Sequence, residues 1–259
     1  MEVAAREREF VCVAGPDAAD YLQRMVSNDV EALAPGDACP ALLLTAKARV
    51  IAPLVVLRRA EEDFLVLTEP GLGEAVRTQL TRMRLRAHCE IEPEEHESVL
   101  VFGGSEGFAT DWPGAREALD SGLAPTLSAE ELELRRIESG VPRWEREIDD
   151  RILPAEAGLD ATHVSFSKGC YPGQEPVARL HFRGHPNRGL RVLALDDGEL
   201  PDYDAELAHE GKAVGRITSV ARDAQRGIVA LAYVRREIPA GSRLELGDGR
   251  GAWPLGETV

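Results

Sequence analysis

The chain has 259 residues, 44% apolar and 29% charged, a balance that excludes wholesale disorder and fibrous repeats and suits one large domain or two to three small ones. Thirty basic against 45 acidic residues leave a net charge of −15, which opposes non-specific attraction to nucleic acid or anionic lipid. Four scattered cysteines, Cys12, Cys39, Cys89 and Cys170, contain no Cys-x-x-Cys pair, so neither a zinc ribbon nor a thioredoxin-type motif can be drawn. A reduced, cytoplasmic protein is expected. Met1 to Glu9 lacks a signal-peptide apolar core, and no run approaches the ~20 apolar residues of a membrane span.

In chain order, Phe10 to Ala14 reads as a short strand ending at Gly15-Pro16, where proline suits a first helical turn. Ala18, Leu22, Met25 and Val26 recur at helical spacing, and Ser27-Asn28-Asp29 closes that helix. Ala41 to Thr45, Val50 to Leu57 and Phe64 to Thr68 are strand-like, and Val76, Leu80, Met83 and Ala87 mark a second amphipathic helix. The alternation lacks a Rossmann glycine fingerprint. Gly103 to Pro125, rich in glycine, proline and small residues, reads as loops or an eroded subdomain. Ser128 and Glu131 then form a capping box, with Leu127 and Leu132 at the staple positions, and Gly140 and Pro142 end the helix they start. Beyond Gly189, apolar runs at Arg191 to Leu195, Ala213 to Val220, Ile228 to Val234 and Ser242 to Leu246 are divided by turns, the spacing of a small antiparallel barrel or sandwich. The expected class is α+β with an all-β carboxyl-terminal module.

The segment with the most chemical content is Lys168-Gly169-Cys170-Tyr171-Pro172-Gly173-Gln174-Glu175, followed by Arg179 and the run His181 to Arg188. Two glycines and a proline around a cysteine make a tight loop that leaves a thiol exposed, and a lysine two residues away favours thiolate, the nucleophilic and metal-ligating form. A turn that merely holds a cysteine has the same spacing. Cys170, His181 and His185 could be drawn as metal ligands, but no second cysteine stands at the right distance, so no structural metal site is expected. His88, Cys89 and His96 border a charged stretch and read as a solvated face.

Lys168 to Glu175 resembles the K-G-C-[FY]-x-G-Q-E signature of the YgfZ family, folate-binding relatives of the glycine-cleavage T-protein that include a mitochondrial iron–sulfur assembly factor. Other segments agree in order. Val13 to Ala18 through Ser27-Asn28-Asp29-Val30 is similar to the opening G-x-D-A…N-D-V, and Arg136 to Pro142 to R-x-E-x-G-x-P. Leu153 to Leu159 is similar to P-x-E-A-G-L, and Gly215 to Ser219 to G-x-[IV]-T-S. The resemblance implies a three-domain ring around a folate-sized cavity: residues 1–47 with 127–185 as a discontinuous first domain, 48–126 as an inserted α+β second domain, and 186–259 as an antiparallel β-barrel. It implies tetrahydrofolate, or a derivative, as cofactor, with Glu138 inheriting the pterin-contacting carboxylate, which can accept two parallel hydrogen bonds from an aminopyrimidine edge. Arg235 and Arg236 are placed to meet a glutamyl carboxylate. A solvated helix-end glutamate and surface arginines are the alternatives for these positions.

One departure bears on activity. The T-protein carries its catalytic aspartate in a G-G-I-x-D-D-L-V-V stretch, and the corresponding text is Ala48 to Val56, with Ala52 and Pro53 at the acidic positions. Neither supplies the charge or proton acceptor that methylene transfer requires. The asparagine expected near Thr68 to Pro70 is absent as well. The expected function is therefore a folate-binding accessory protein supporting iron–sulfur cluster assembly or repair through Cys170, with iron–sulfur enzymes or assembly proteins as partners and neither general nucleic-acid binding nor membrane attachment. The alternatives are a folate-dependent C1-transfer enzyme and a fold that has lost its site. From Lys168 to Arg191 five basic residues (Lys168, Arg179, Arg183, Arg188, Arg191) face one acid, Glu175, a basic strip suited to an anionic ligand.

Overall fold

The computed structural model describes residues 1–255. The chain forms two compact units, one from Met1–Ser128 with Leu159–Arg179 and the other from Ala129–Gly158 with Leu180 onward.

In the first unit, β2 (Glu9–Ala14), β3 (Ala38–Leu44), β4 (Val50–Ala60), β5 (Asp63–Thr68) and β6 (Glu90–Glu94) form an antiparallel sheet in the order β3-β4-β5-β2-β6. β1 (Glu2–Ala5), β7 (Ser98–Phe102), β8 (Phe108–Ala109) and β9 (Ala115–Leu119) form a second, in the order β1-β7-β9-β8. The two-residue period of each strand sends alternate side chains to opposite faces. On one face Phe10, Val55, Leu57, Leu65 and Leu67 bury themselves with Phe108 and Leu119 of the second sheet. Helices α1 (Ala18–Met25) and α2 (Gly73–Met83) pack against the larger sheet, burying Tyr21, Leu22 and Met25 and Val76 and Leu80 respectively; of the second expected stripe, Met83 is exposed at the helix end and Ala87 lies beyond it.

Gly103 to Pro125, expected as loops or an eroded subdomain, contains β8 and β9. The physical reason is an ion cluster in the place of apolar pairs. Glu117, in the middle of β9, has no exposed side-chain surface and accepts two 3.0 Å hydrogen bonds from Arg8, which is equally buried. Ser98 and Thr110 donate to the same carboxylate at 2.7 Å. Asp111 accepts from Arg8 at 3.0 Å and from Arg6 at 2.9 Å. Burial alone would raise the Glu117 carboxyl, and the Arg8 and Arg6 guanidiniums reverse this and hold it down at about 2.

His163 faces this cluster. It is 4% exposed, its Nδ1 lies 2.8 Å from the Thr162 hydroxyl, and burial, with Arg8 and Arg6 opposing Asp111, pushes its ring down to about 4. An unfolded histidine takes its proton near pH 6.5. Between these values the unfolded chain binds a proton that the folded chain refuses, so stability falls as pH drops from about 6.5 to 4 and this contribution levels off below. Urea midpoints measured across that window are expected to fall less steeply for His163→Asn than for the wild type. Equal slopes would show that His163 does not carry the effect.

In the second unit, α3 (Ala129–Glu138) begins directly after Ser128, where the capping box places it, and ends at Gly140, whose φ of +69° favours glycine. Further along are α4 (Gln174–Arg183), which starts in the first unit, β10 (Arg188–Leu195), β11 (Glu206–His209), β12 (Lys212–Asp223), β13 (Gly227–Arg235), β14 (Leu244–Leu246) and β15 (Gly251–Pro254). The last six close an antiparallel barrel in the order β10-β13-β12-β11-β14-β15, sealed by pairing of β15 with β10. The expected α+β class with a terminal barrel is borne out, with six strands where the spacing marked four. The added strands, Glu206–His209 and Gly251–Pro254, have four residues each, too short to give a periodic signal. Along β13, Ile228, Ala230, Ala232 and Val234 fill the barrel, while Val229, Leu231 and Tyr233 are buried on its outside, where α3 packs. Burial on both faces explains a continuous apolar run in place of alternation. No helix among the described residues is long and apolar enough to cross a membrane.

Candidate functional site

The loop from Lys168 to Gly173 leads into α4 and leaves Cys170 exposed, while both ends of the loop are held. At its start, Lys168 is only 9% exposed and donates 2.7 Å hydrogen bonds to the carbonyls of Val26 and Asn28. Burial pushes this ammonium down to about 8, and it lies 5.4 Å from the centre of the Tyr171 ring, itself buried. The Asn28 amide bridges the carbonyls of Pro40 and Thr162, and Ser27 donates to the carbonyl of His163 at 2.6 Å. The N-D-V and K-G-C segments, about 140 positions apart, are thus one construction: the first holds the polypeptide that presents the second.

At its end, Gly173 has φ +85°, and a Cβ placed there would lie 2.6 Å from the Thr45 carbonyl oxygen and 3.1 Å from Cα of Ala48. Only glycine combines that backbone conformation with so close an approach. The Gln174 side chain donates back to the Gly169 carbonyl at 3.4 Å, and its backbone N–H donates to Tyr171 at 3.2 Å, drawing the loop closed. Gly173→Ala is expected to lower stability by about 2–4 kcal/mol, combining left-handed strain with overlap against backbone atoms. Chemical denaturation checks this, and a loss below about 1 kcal/mol would mean that the β3–β4 turn yields freely.

The expected role of Lys168 is corrected by this geometry. Its ammonium is spent on two backbone carbonyls, and the thiol whose charge it feels is Cys39, which burial nonetheless pushes up to about 12. Lys168 is a loop anchor. Glu175 and Arg179 are exposed on α4. The expected basic strip is also divided: Lys168 and Arg191 are buried, Arg188 pairs with Glu156 at 2.9 Å, and Arg179 and Arg183 alone among the five are exposed. Cys89 departs from the solvated face expected of its neighbourhood and is buried, whereas His96 is half-buried between Glu94 and Asp120, at 2.9 and 2.6 Å.

In the second unit, two further quoted segments meet. Arg136, of the R-x-E-x-G-x-P stretch, is 4% exposed and donates to Ser219, of the G-x-[IV]-T-S stretch, at 2.6 Å. It also reaches Glu147 at 3.0 Å, the Val141 carbonyl at 2.7 Å and both oxygens of Glu133 at 2.9 Å. Glu138, two residues on, keeps 29% of its side chain exposed and accepts a 3.1 Å hydrogen bond from Arg226, which is 72% exposed. A pair so solvated exchanges at little cost, so the carboxylate is accessible to another donor.

Arg235 and Arg236 line an open cleft of about 760 Å³ with Glu156, His185, Asn187, Arg188 and Glu237. The structure does not bring these arginines to Glu138. Arg226 and Arg235 bracket opposite ends of β13, a nine-residue strand that rises roughly 25 Å. Of the cleft's other members, Arg188 is marked in sequence by the basic strip and His185 by the run after Cys170, whereas Glu156 and Glu237 stand in two further segments that no spacing joins to it. No group of three or more His, Cys, Asp or Glu among the described residues is arranged to hold a metal ion.

Residues 7–104 match the GCVT N-terminal domain. The chain is 27% identical to the tRNA-modifying protein YgfZ of Edwardsiella ictaluri (strain 93-146), over 91% of this chain and 85% of that protein. It is 26% identical to the mitochondrial iron–sulfur cluster assembly factor IBA57 homolog of Pyricularia oryzae, over 86% of this chain and 66% of that protein. The crystal structure of the glycine cleavage system aminomethyltransferase T from Bartonella henselae superposes with a TM-score of 0.79 at 18% identity, covering all of this chain and 85% of the other. The fold is therefore that of the T-protein, and the resemblance to YgfZ is borne out.

Proposed function

Starting from a YgfZ-like chain with a GCVT N-terminal domain at residues 7–104, we propose that this protein is an accessory factor of the YgfZ type, supporting iron–sulfur cluster assembly or repair, and through it tRNA modification, with Cys170 as its working thiol and tetrahydrofolate or a derivative as its ligand. The observation that carries the reading is a solvent-exposed cysteine at the crest of a loop whose two ends are locked by Lys168 and Gly173. A thiol held in this way meets an incoming protein or cluster without reordering the loop, and as thiolate it is a nucleophile or an iron ligand. In this reading Tyr171, Gly169, Gln174 and Glu175 shape the loop and its exit into α4, and Glu138 exchanges Arg226 for the donors of a pterin edge.

The C1-transfer alternative has no support from β4. Ala52 and Pro53 are buried within it, opposite Leu43 and Leu42, and the Pro53 carbonyl accepts the Thr68 hydroxyl at 3.0 Å. No carboxylate stands at either position to take a proton. The proposal is tested by rescue. In a bacterial host lacking its own YgfZ, the chain is expected to restore the activity of a cluster-dependent enzyme under oxidative stress, and failure to restore it when well expressed would refute the reading.

A further inference from the structure

The last turn of α2 and the bend beyond it, Thr81 to Arg86, are exposed at every residue. Arg82, Arg84 and Arg86 fall in this stretch with no acid among them, in a chain whose net charge is −15. Between the arginines stand two apolar side chains, Met83 at 38% exposed and Leu85 at 86%. Leu85 also has φ +51°, a left-handed backbone that glycine or asparagine adopts at less cost than leucine. The bend is nonetheless fixed. The Arg84 guanidinium donates to the Cys89 carbonyl at 2.9 Å, the Ala87 N–H donates to the Arg84 carbonyl at 2.9 Å, and the His88 N–H donates to the Asp17 carboxylate at 2.7 Å. Arginines near the end of a helix offset the negative pole of its dipole, which accounts for Arg82 and Arg84. It accounts neither for a leucine held in a strained conformation in solvent nor for Arg86 beyond it. The guanidiniums of Arg82 and Arg86 have no hydrogen bond or ion pair among the described residues. Strain kept at an exposed apolar residue, flanked by unpaired charge, is the mark of a surface shaped for a partner.

We infer that this tip is a docking point for an acidic segment of a partner protein, one with an apolar residue set among its carboxylates. Leu85 and Met83 supply the apolar contact, Arg82 and Arg86 the charge, and because the bend is fixed, binding orders only the incoming segment. An anionic bilayer shares this chemistry but is broad. It would bring its charge against the acids beside the tip, Glu90 and Glu92, exposed on β6, and Asp17, whereas a narrow segment meets the tip alone. A second copy of the chain would have to bring two bodies of net charge −15 together. The tip stands at the end of the larger sheet where Ala14 pairs with Asp63 and Glu90 and Ala60 pairs with Asp63. The Cys170 loop abuts the β3–β4 turn at the other end through Gly173, and β4, eleven residues long, spans roughly 35 Å between the two. A segment seated on the tip therefore leaves the thiol uncovered, and the inference stands independently of any ligand assigned to the protein.

Fluorescence anisotropy of the full chain with a labelled peptide, Leu-Phe flanked on both sides by glutamates, tests this. Wild type is expected to bind the peptide saturably, and at least about fivefold more weakly when the ionic strength is raised from about 0.05 to about 0.3 M. Leu85→Asn is expected to weaken binding at least about tenfold, the effect of losing a buried leucine side chain. Its melting temperature is expected to equal or exceed that of wild type, because asparagine tolerates the left-handed backbone, so the loss would not reflect unfolding. Arg82→Gln with Arg86→Gln is expected to weaken binding and to remove most of its salt dependence. Absence of saturable binding by wild type, or binding that survives Leu85→Asn, would overturn the docking point. Sedimentation with phosphatidylserine vesicles that is lost in Leu85→Asn would overturn it in favour of a membrane contact, and a dimer in light scattering that is lost in Leu85→Asn would overturn it in favour of a second copy.

Discussion

Replacing Glu147 with alanine is expected to destabilise the protein by about 3–5 kcal/mol, because it removes one partner of a buried ion pair and leaves other donors unmatched. The Glu147 side chain is fully buried. One oxygen accepts from Arg136 and from the Arg143 backbone N–H, both at 3.0 Å, and the other accepts from Ser219 at 2.7 Å. Its backbone carbonyl accepts from Tyr233 at 2.7 Å. These bonds tie α3, the segment after it and strands β12 and β13 into one body, so alanine would strand the Arg143 N–H and the Ser219 hydroxyl and remove half of the charge balance around Arg136. Glu138→Ala provides the internal control. It breaks an exposed pair with Arg226 and is expected to cost less than about 1 kcal/mol. Urea denaturation of both variants measures the contrast, and similar losses would contradict the distinction drawn between the two glutamates.

How far these features are legible in sequence depends on how locally each is encoded. Helix α3 was legible because its start and stop signals, Ser128, Glu131 and Gly140, are adjacent to it, and the barrel because its turns recur. β9 was not, since its central Glu117 is acceptable in a strand only when Arg8, more than 100 positions earlier, lies against it. The K-G-C loop was legible as a motif, but the service of Lys168 was misread: two residues along the chain from Cys170, its ammonium is directed to carbonyls near residue 27, which no spacing rule reveals. The R-x-E-x-G-x-P and G-x-[IV]-T-S segments were recognisable separately, and only the fold shows that they are two halves of the Arg136–Glu147–Ser219 cluster. Of the candidate folate contacts, Arg235 and Arg236 share a cleft because they are sequence neighbours, whereas Glu138 lies toward the far end of β13 for reasons of strand length alone.

Cys170→Ala is expected to abolish the supporting activity while leaving the fold intact, the largest functional effect of any single substitution considered. The other three thiols are poorly suited to the work. Cys89 is buried; burial pushes Cys39 up to about 12; and burial, with the Glu94 carboxylate beside it, does the same to Cys12. Each is held as a neutral thiol at physiological pH, whereas Cys170 is exposed. Because the surrounding loop is anchored through Lys168, Tyr171 and Gly173 and not through the thiol, truncating an exposed side chain there changes stability by no more than about 0.5 kcal/mol.

That separation of function from stability makes the decisive measurement a simple one. Wild type and Cys170→Ala, matched for expression and melting temperature, are compared for rescue of a cluster-dependent enzyme in a host lacking its own YgfZ. The account predicts that wild type restores the activity and that Cys170→Ala restores less than about a tenth of it. Rescue by Cys170→Ala equal to that by wild type would contradict the assignment of Cys170 as the working group.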